Sequence, residues 1–310
     1  MRETRTGGAT GSPTLSGRTL AWTRRPRALE RSWAAFRRNR QGVFGLTILG
    51  IFTLLALLAP VLVSEAQLEP AAASGPTLHP PSLAYPLGTD NFGRSVLDLM
   101  IMGSRISLIV GLAATVGAVL IGATVGIAAG FFAGRWIDGA LSAVTNWVLV
   151  LPWIALAVAL AAVLGRGLGT IILVIAITSW PSTARMVRAQ TLSIRERSYV
   201  ERARALGAGD WHIMTRHVLP NVMPVLLANG ILTVALSILS ETTLSILGLG
   251  DATAVSWGGI IEAAFSAGAL TAGWWWWIVP PGVAIVLVTL SFTMCGYALD
   301  EVLNPRLRDR

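Results

Sequence analysis

The chain contains no lysine; all 24 of its basic residues are arginines. Charge of either sign is scarce, at 13% of residues, where an ordinary soluble domain carries about 25%. Cysteine is almost absent. The single thiol, Cys295, lies in an apolar run, which excludes an intrachain disulfide and leaves a zinc site without thiolate partners. Of the three histidines, His79 is remote in sequence from His212 and His217, and no carboxylate cluster accompanies them, so no metal site is expected. No GxxxxGK[ST] phosphate loop and no HExxH pair is present. Hydrolysis of ATP or of peptides by this chain alone is therefore not expected, and no nucleophile–base set suggests an intramembrane enzyme.

What the chain has instead is apolar sequence. Hydrophobic residues make up 54%, and the mean hydropathy is +0.65. Several runs approach the roughly 20 residues that cross a bilayer, so the chain reads as all-α and polytopic. Length-based domain counting does not apply to such a protein. The net charge of +8 would suit nucleic acid, but its distribution follows membrane orientation rules instead, and no nucleic-acid partner is expected.

Residues 1–41 form a basic arm that includes Arg24, Arg25, Arg27, Arg31, Arg37, Arg38 and Arg40. A basic amphipathic helix over about 27–41 is expected to lie in water or on the lipid surface. The first apolar run, 42–63, follows that arm and is too long for a leader h-region, so it reads as a retained span. Residues 64–105 form a proline-containing extramembrane segment. Further spans are expected at about 106–132, 143–164, 168–180, 222–248 and 276–299, within a core of 106–300, and residues 301–310 form a tail. Gly122, Gly126 and Gly130, four apart, share one helix face and invite close helix packing. Pro152 should kink the third span. The fourth is only about 20 Å long and must continue past Pro181 or sit tilted inside the bundle. Residues 256–270 are apolar but interrupted, and read as re-entrant or interfacial. Trp274 to Trp277 suit the headgroup layer.

Arginines concentrate in the arm, in the 181–221 loop and at the C-terminus. Six spans put all three on one side, the cytoplasm by the positive-inside rule. The loop is patterned. A short helix there would project Tyr199, Val200, Ala203 and Leu206 or Gly207 on one side, with small residues such as Ala203 and Ala205 able to enter a groove. Glu201, Arg202 and Arg204 lie beside them. Gly207 suits a left-handed helix end. An amphipathic stretch from Trp211 leads to Leu219 and Pro220. This loop reads as a docking element that passes force from a soluble motor to the spans. Glu241 lies about 30 Å along a helix from Asn221, near the outer boundary. Intramembrane carboxylates are functional candidates, so an outer-gate or pathway role stands beside a structural hydrogen bond.

These motifs carry a resemblance. Glu201-Arg202-Ala203, Gly207 and Leu219-Pro220 are similar to the EAA loop of importer-type ABC transporter permeases. Leu87–Arg94, with Gly88, Thr89, Asp90, Gly93 and Arg94, resembles the LGTD-x-x-GR signature of the C-type subunit of dipeptide, oligopeptide and nickel importers. Leu244–Gly250 with Ser256-Trp257-Gly258, and Trp274 through Pro281-Gly282 to Asn304-Pro305-Arg306-Leu307, resemble later segments of that subunit. Arg202, Tyr297 and Asn304 depart from the pattern. The resemblance implies a type I ABC importer fold with a cytoplasmic coupling helix. It also implies a second homologous permease, two ABC ATPase subunits that bind ATP and magnesium, an extracytoplasmic solute-binding protein, and a place in the bacterial cytoplasmic membrane with both termini inside. This chain would hold no cofactor. An ion-coupled secondary transporter is the alternative, although such proteins usually show several intramembrane charges and an inverted repeat.

Overall fold

The computed structural model describes residues 33–251 and 253–303. Most of the basic arm 1–41 and the Asn304–Leu307 part of the tail lie outside the described residues.

The longer helices are α1 (Arg40–Leu62), α2 (Val96–Phe131), α3 (Trp136–Val150), α4 (Trp153–Leu164), α5 (Leu168–Arg195), α6 (Ser198–Ala205), α7 (Leu219–Leu244), α8 (Trp257–Ser266) and α9 (Trp275–Leu303). No strand occurs among the described residues; one isolated bridge joins Thr89 to Ser95. Five helical stretches are long and apolar enough to cross a membrane, and α3 with α4 makes a sixth if the bent pair counts as one span.

The second span starts ten residues earlier than expected, at Val96 rather than 106. Asp98, Ser104 and Arg105 interrupt the apolar run, which hides the helix from hydropathy. Ser95 caps its start by accepting the Asp98 amide at 3.3 Å. Val96, Leu99 and Met102 then pack with Trp257 and Ile260 of α8. At Pro152 the third span does more than kink. Its halves meet at 95°, with α3 ending at Val150 and α4 starting at Trp153. α5 continues through the buried Pro181 to Arg195, so its 28 residues reach roughly 42 Å, well beyond a hydrocarbon core. The start of the 181–221 loop, as far as Arg195, is thus a continuation of α5.

The glycine ladder performs the packing expected of it. A Cβ at Gly122 would lie 2.7 Å from Thr183 Cβ, one at Gly126 2.6 Å from the Ala184 carbonyl oxygen, and one at Gly130 2.6 Å from Thr191 Cβ. α2 and α5 therefore touch backbone to backbone, as small residues permit in a bilayer. α1 joins α9 in the same way. A Cβ at Gly42 would lie 2.6 Å from Ala298 Cβ, and one at Gly45 2.8 Å from the Ser291 carbonyl oxygen. The tryptophan run is not a uniform headgroup belt. Trp275 is exposed, but Trp276 and Trp277 are buried in the core with Val96, Leu99 and α8.

Candidate functional site

α6 packs where the last residues of α2 and α5 meet the start of α7. It follows α5 after a turn at Glu196 and Arg197 and ends at Gly207, whose φ is +87°. The Gly207 amide donates to the Arg204 carbonyl at 3.0 Å and the Ala208 amide to the Ala203 carbonyl at 3.0 Å, closing the helix. Glu201, Arg202, Arg204 and Ala205 are exposed, and Leu206 is 88% exposed. Trp211, in the turn that follows, is 75% exposed. Large apolar side chains so open at a polar end are surface that a partner can cover.

Val200 departs from the expected face. It does not point outward with Tyr199, Ala203 and Leu206 but is fully buried among Phe131 of α2, Val187 and Ile194 of α5, and Val218, Val222 and Leu226 around the start of α7. Ile213 joins the same cluster. Val200 is thus a bolt between the presented helix and the ends of three spans. Arginines reinforce it. Arg195 donates to the Phe131 and Ala133 carbonyls at 3.1 Å each, capping the end of α2, and the Arg204 guanidinium lies 5.8 Å from the Phe131 ring centroid. Leu219 and the exposed Pro220 open α7, reached through a π turn over Met214–Val218.

The Leu87–Arg94 signature is built the opposite way. Asp90 is fully buried and spends its carboxylate locally: Oδ1 accepts the Phe92 and Arg94 amides at 2.9 and 2.8 Å, and Oδ2 accepts Arg94 Nε at 2.7 Å. Arg94 also donates to the Leu68 carbonyl at 3.1 Å. Thr89 accepts the His79 amide at 2.8 Å and donates to the Pro76 carbonyl. Gly88 and Gly93 have φ of +70° and +81°, and a Cβ at Gly88 would lie 2.6 Å from Trp276 Cδ1. Trp276 Nε1 in turn donates to the Thr89 carbonyl at 3.3 Å. The motif is a knot that ties the loop before α2 to the start of α2 and the start of α9.

Glu241 is only 1% exposed. Its Oε1 accepts Ser245 Oγ at 2.8 Å and Ser256 Oγ at 2.7 Å. Ser256 caps α8 by accepting the Gly259 amide at 3.1 Å, and the Trp257 amide donates to Ser107 Oγ at 3.1 Å. A Cβ at Gly258 would lie 2.8 Å from Thr242 Cα, so α8 sits directly on α7. These contacts supply the structural hydrogen bonds expected as the alternative to a gate or pathway role, and they engage only Oε1; Oε2 is buried without a hydrogen-bond partner. A cavity of about 300 Å³ beside it is lined by Arg94, Arg166, Ser245, Asp251, Glu262 and Trp277, among others. Within it, Asp251 accepts the Leu168 amide at 2.9 Å at the start of α5. The hydroxyl and amide of Thr253, then the Leu168 amide, hold the Asp251 carboxyl below the usual carboxylate range.

One pairing has no sequence signal. Arg188 of α5 grips Asp138 of α3 with both arms of its guanidinium, at 2.8 and 2.9 Å. The partners stand 50 residues apart, and Arg188 reads in sequence as one more orientation arginine. Among the described residues no group of three His, Cys, Asp or Glu side chains is placed to hold a metal.

A family model described as the binding-protein-dependent transport system inner membrane component matches residues 122–309. Another, the N-terminal TM domain of oligopeptide transport permease C, matches residues 28–81. The chain is 34% identical to the dipeptide transport system permease protein DppC of Alkalihalophilus pseudofirmus, over 88% of each chain. It is 38% identical to a putative peptide transport system permease protein of Brucella abortus, over 87% of this chain and 90% of that one. Identity to the glutathione transport system permease protein GsiD of Pectobacterium atrosepticum is 34%, over 74% and 75% of the two chains. A chain from inward-facing conformations of the MetNI methionine ABC transporter shares the fold, with a TM-score of 0.54 at 21% identity, covering 67% of this chain and 95% of that one. The chain is thus a multi-pass membrane permease with an ABC importer fold, and it belongs to the family of binding-protein-dependent transport system inner membrane components.

Proposed function

We propose that this chain is one of two homologous permease subunits of an ATP-driven importer in the bacterial cytoplasmic membrane, with both termini inside. It forms half of the path for di- or oligopeptides or a related small solute. The peptide and glutathione systems to which its relatives belong support that cargo class. An extracytoplasmic solute-binding protein delivers cargo at the outer face. Two ATPase subunits bind ATP and magnesium and drive the cycle, and this chain supplies no catalytic residue and no cofactor.

The observation that carries this reading is the construction of α6. Its outer face (Tyr199, Glu201, Ala205, Leu206) is open, while its inner face is bolted through Val200 to α2, α5 and α7. A helix so mounted converts displacement at its surface into movement of span ends. When nucleotide closes the ATPases, the two coupling helices approach each other and the bundle shifts between two global states.

The test is uptake by the assembled transporter in proteoliposomes. Cargo accumulation should persist when ion gradients are collapsed and stop when ATP is withdrawn. Accumulation driven by an ion gradient without nucleotide would instead identify a secondary transporter. A reporter fused at residue 80 should read outside and one at 205 inside; the reverse would overturn the orientation.

A further inference from the structure

At the arginine end of α1 the surface divides into two joined recesses. The first is an apolar trough of about 490 Å³ whose walls include Trp33, Phe36, Leu46, Leu49, Phe292 and Leu299. Trp33 stacks on Phe36 with ring centroids 5.9 Å apart. The second is a polar recess of about 350 Å³ lined by Arg38, Asn39, Arg40, Gln41 and Glu301. Val302 borders both.

Charge and depth specify the occupant. Arg38 and Arg40 are exposed, and neither side chain has a hydrogen-bond or ion-pair partner among the described residues. Arg37 is exposed beside them. The one carboxylate in the recess, Glu301, already accepts Asn39 Nδ2 at 2.8 Å. Asn39 in turn holds the Gly42 amide at 2.9 Å and so fixes the recess to the start of α1. The trough descends to Leu49, roughly 13 Å below that start, where hydrocarbon replaces headgroups. A molecule that fits both halves needs an anionic head and a hydrocarbon chain.

We propose that these recesses bind an anionic phospholipid of the leaflet at the arginine end, with its phosphate against Arg38 and Arg40 and an acyl chain in the trough. Guanidinium recognises phosphate through paired donors, and basic residues at the membrane surface draw anionic lipid. The bound lipid would fill the gap between α1 and α9, which elsewhere touch directly through Gly42 and Gly45.

The full-length chain in its assembly, exchanged into equimolar phosphatidylglycerol and phosphatidylcholine with matched acyl chains, provides the test by native mass spectrometry. Phosphatidylglycerol should be retained over phosphatidylcholine by about tenfold. The Arg38→Gln/Arg40→Gln double variant should bring that ratio close to unity, and Leu46→Trp should lower retention of both lipids, each with assembly unchanged. Equal retention of the two lipids by the wild type overturns the assignment. So does displacement by soluble glycerol phosphate, which would mark a site for free phosphate. Retention only after removal of residues 1–32 would show that the chain's own arm covers the trough, and would also overturn it.

Discussion

The two ends of this bundle use their motif residues in opposite ways. At the end that holds the loop before α2, Asp90, Thr89, Arg94 and Glu241 are buried or nearly so and bond to their own chain. At the α6 end, Glu201, Arg202 and Leu206 stand in solvent, and among the described residues the Glu201 side chain has no hydrogen-bond partner. Both sets read in sequence as functional signatures. The difference teaches that one set makes a rigid frame and the other makes a surface. A frame residue should fail by unfolding when altered; a surface residue should fail by losing its partner while the fold survives.

The largest effect should come from the frame. Asp90→Ala strands a largely buried guanidinium and two amides, and should destabilise the chain by about 3–5 kcal/mol. Thermal unfolding in detergent would show it; a melting temperature equal to wild type would mean the knot is ornamental. Next is the surface. Glu201→Lys reverses a charge at the presented helix and should cut ATP-driven uptake by about thirtyfold, the scale of an interface hot spot, with an unchanged melting temperature. Normal uptake by that variant would remove Glu201 from the docking surface. Gly207→Val is intermediate in kind. No atom lies within 4 Å of a Cβ built there, so only the left-handed backbone is strained, by about 1–2 kcal/mol. Its uptake should fall further than its stability, and the reverse order would place Gly207 in the frame.

The smallest effect concerns acid at Asp251. Asp251 has a lowered pKa in the folded chain, so its stabilising bond to the α5 start is fully present above the usual carboxylate range of about 3.9. It is lost only as pH falls through the lowered value. Hydrogen exchange at the Leu168 amide, corrected for its intrinsic rate, should therefore be flat from neutrality to about pH 5 and rise in stronger acid. A rise already near pH 6 would show that the carboxylate is not held down.

Much of this contrast was legible in the sequence, for identifiable reasons. Spans announce themselves by hydropathy wherever apolar runs are unbroken, as in α1 and α9. The four-residue glycine spacing marked a close-packing face on α2 without naming α5 as its partner, and Gly207 marked the end of α6. Hydropathy failed where polar side chains sit inside a helix, which is why α2 starts at Val96 and not at 106. Pairings across long separations leave no local trace. Asp138 does not point to Arg188, nor Glu241 to Ser256, because each bond depends on how two helices are laid together. Val200 was misplaced for the same reason. Helical spacing gives the face, but only the packed ends of α2, α5 and α7 decide which face is inside.

The claim that α6 is the surface gripped by a nucleotide-driven partner is tested most directly by a single-cysteine experiment. Cys295 is the only native thiol and is buried, so its replacement by serine leaves a clean background for Leu206→Cys. In the assembled transporter, that thiol should cross-link to the ATPase subunit and be shielded from a soluble maleimide. If it labels fully while the same assembly imports cargo at the wild-type rate, α6 is not where the force enters.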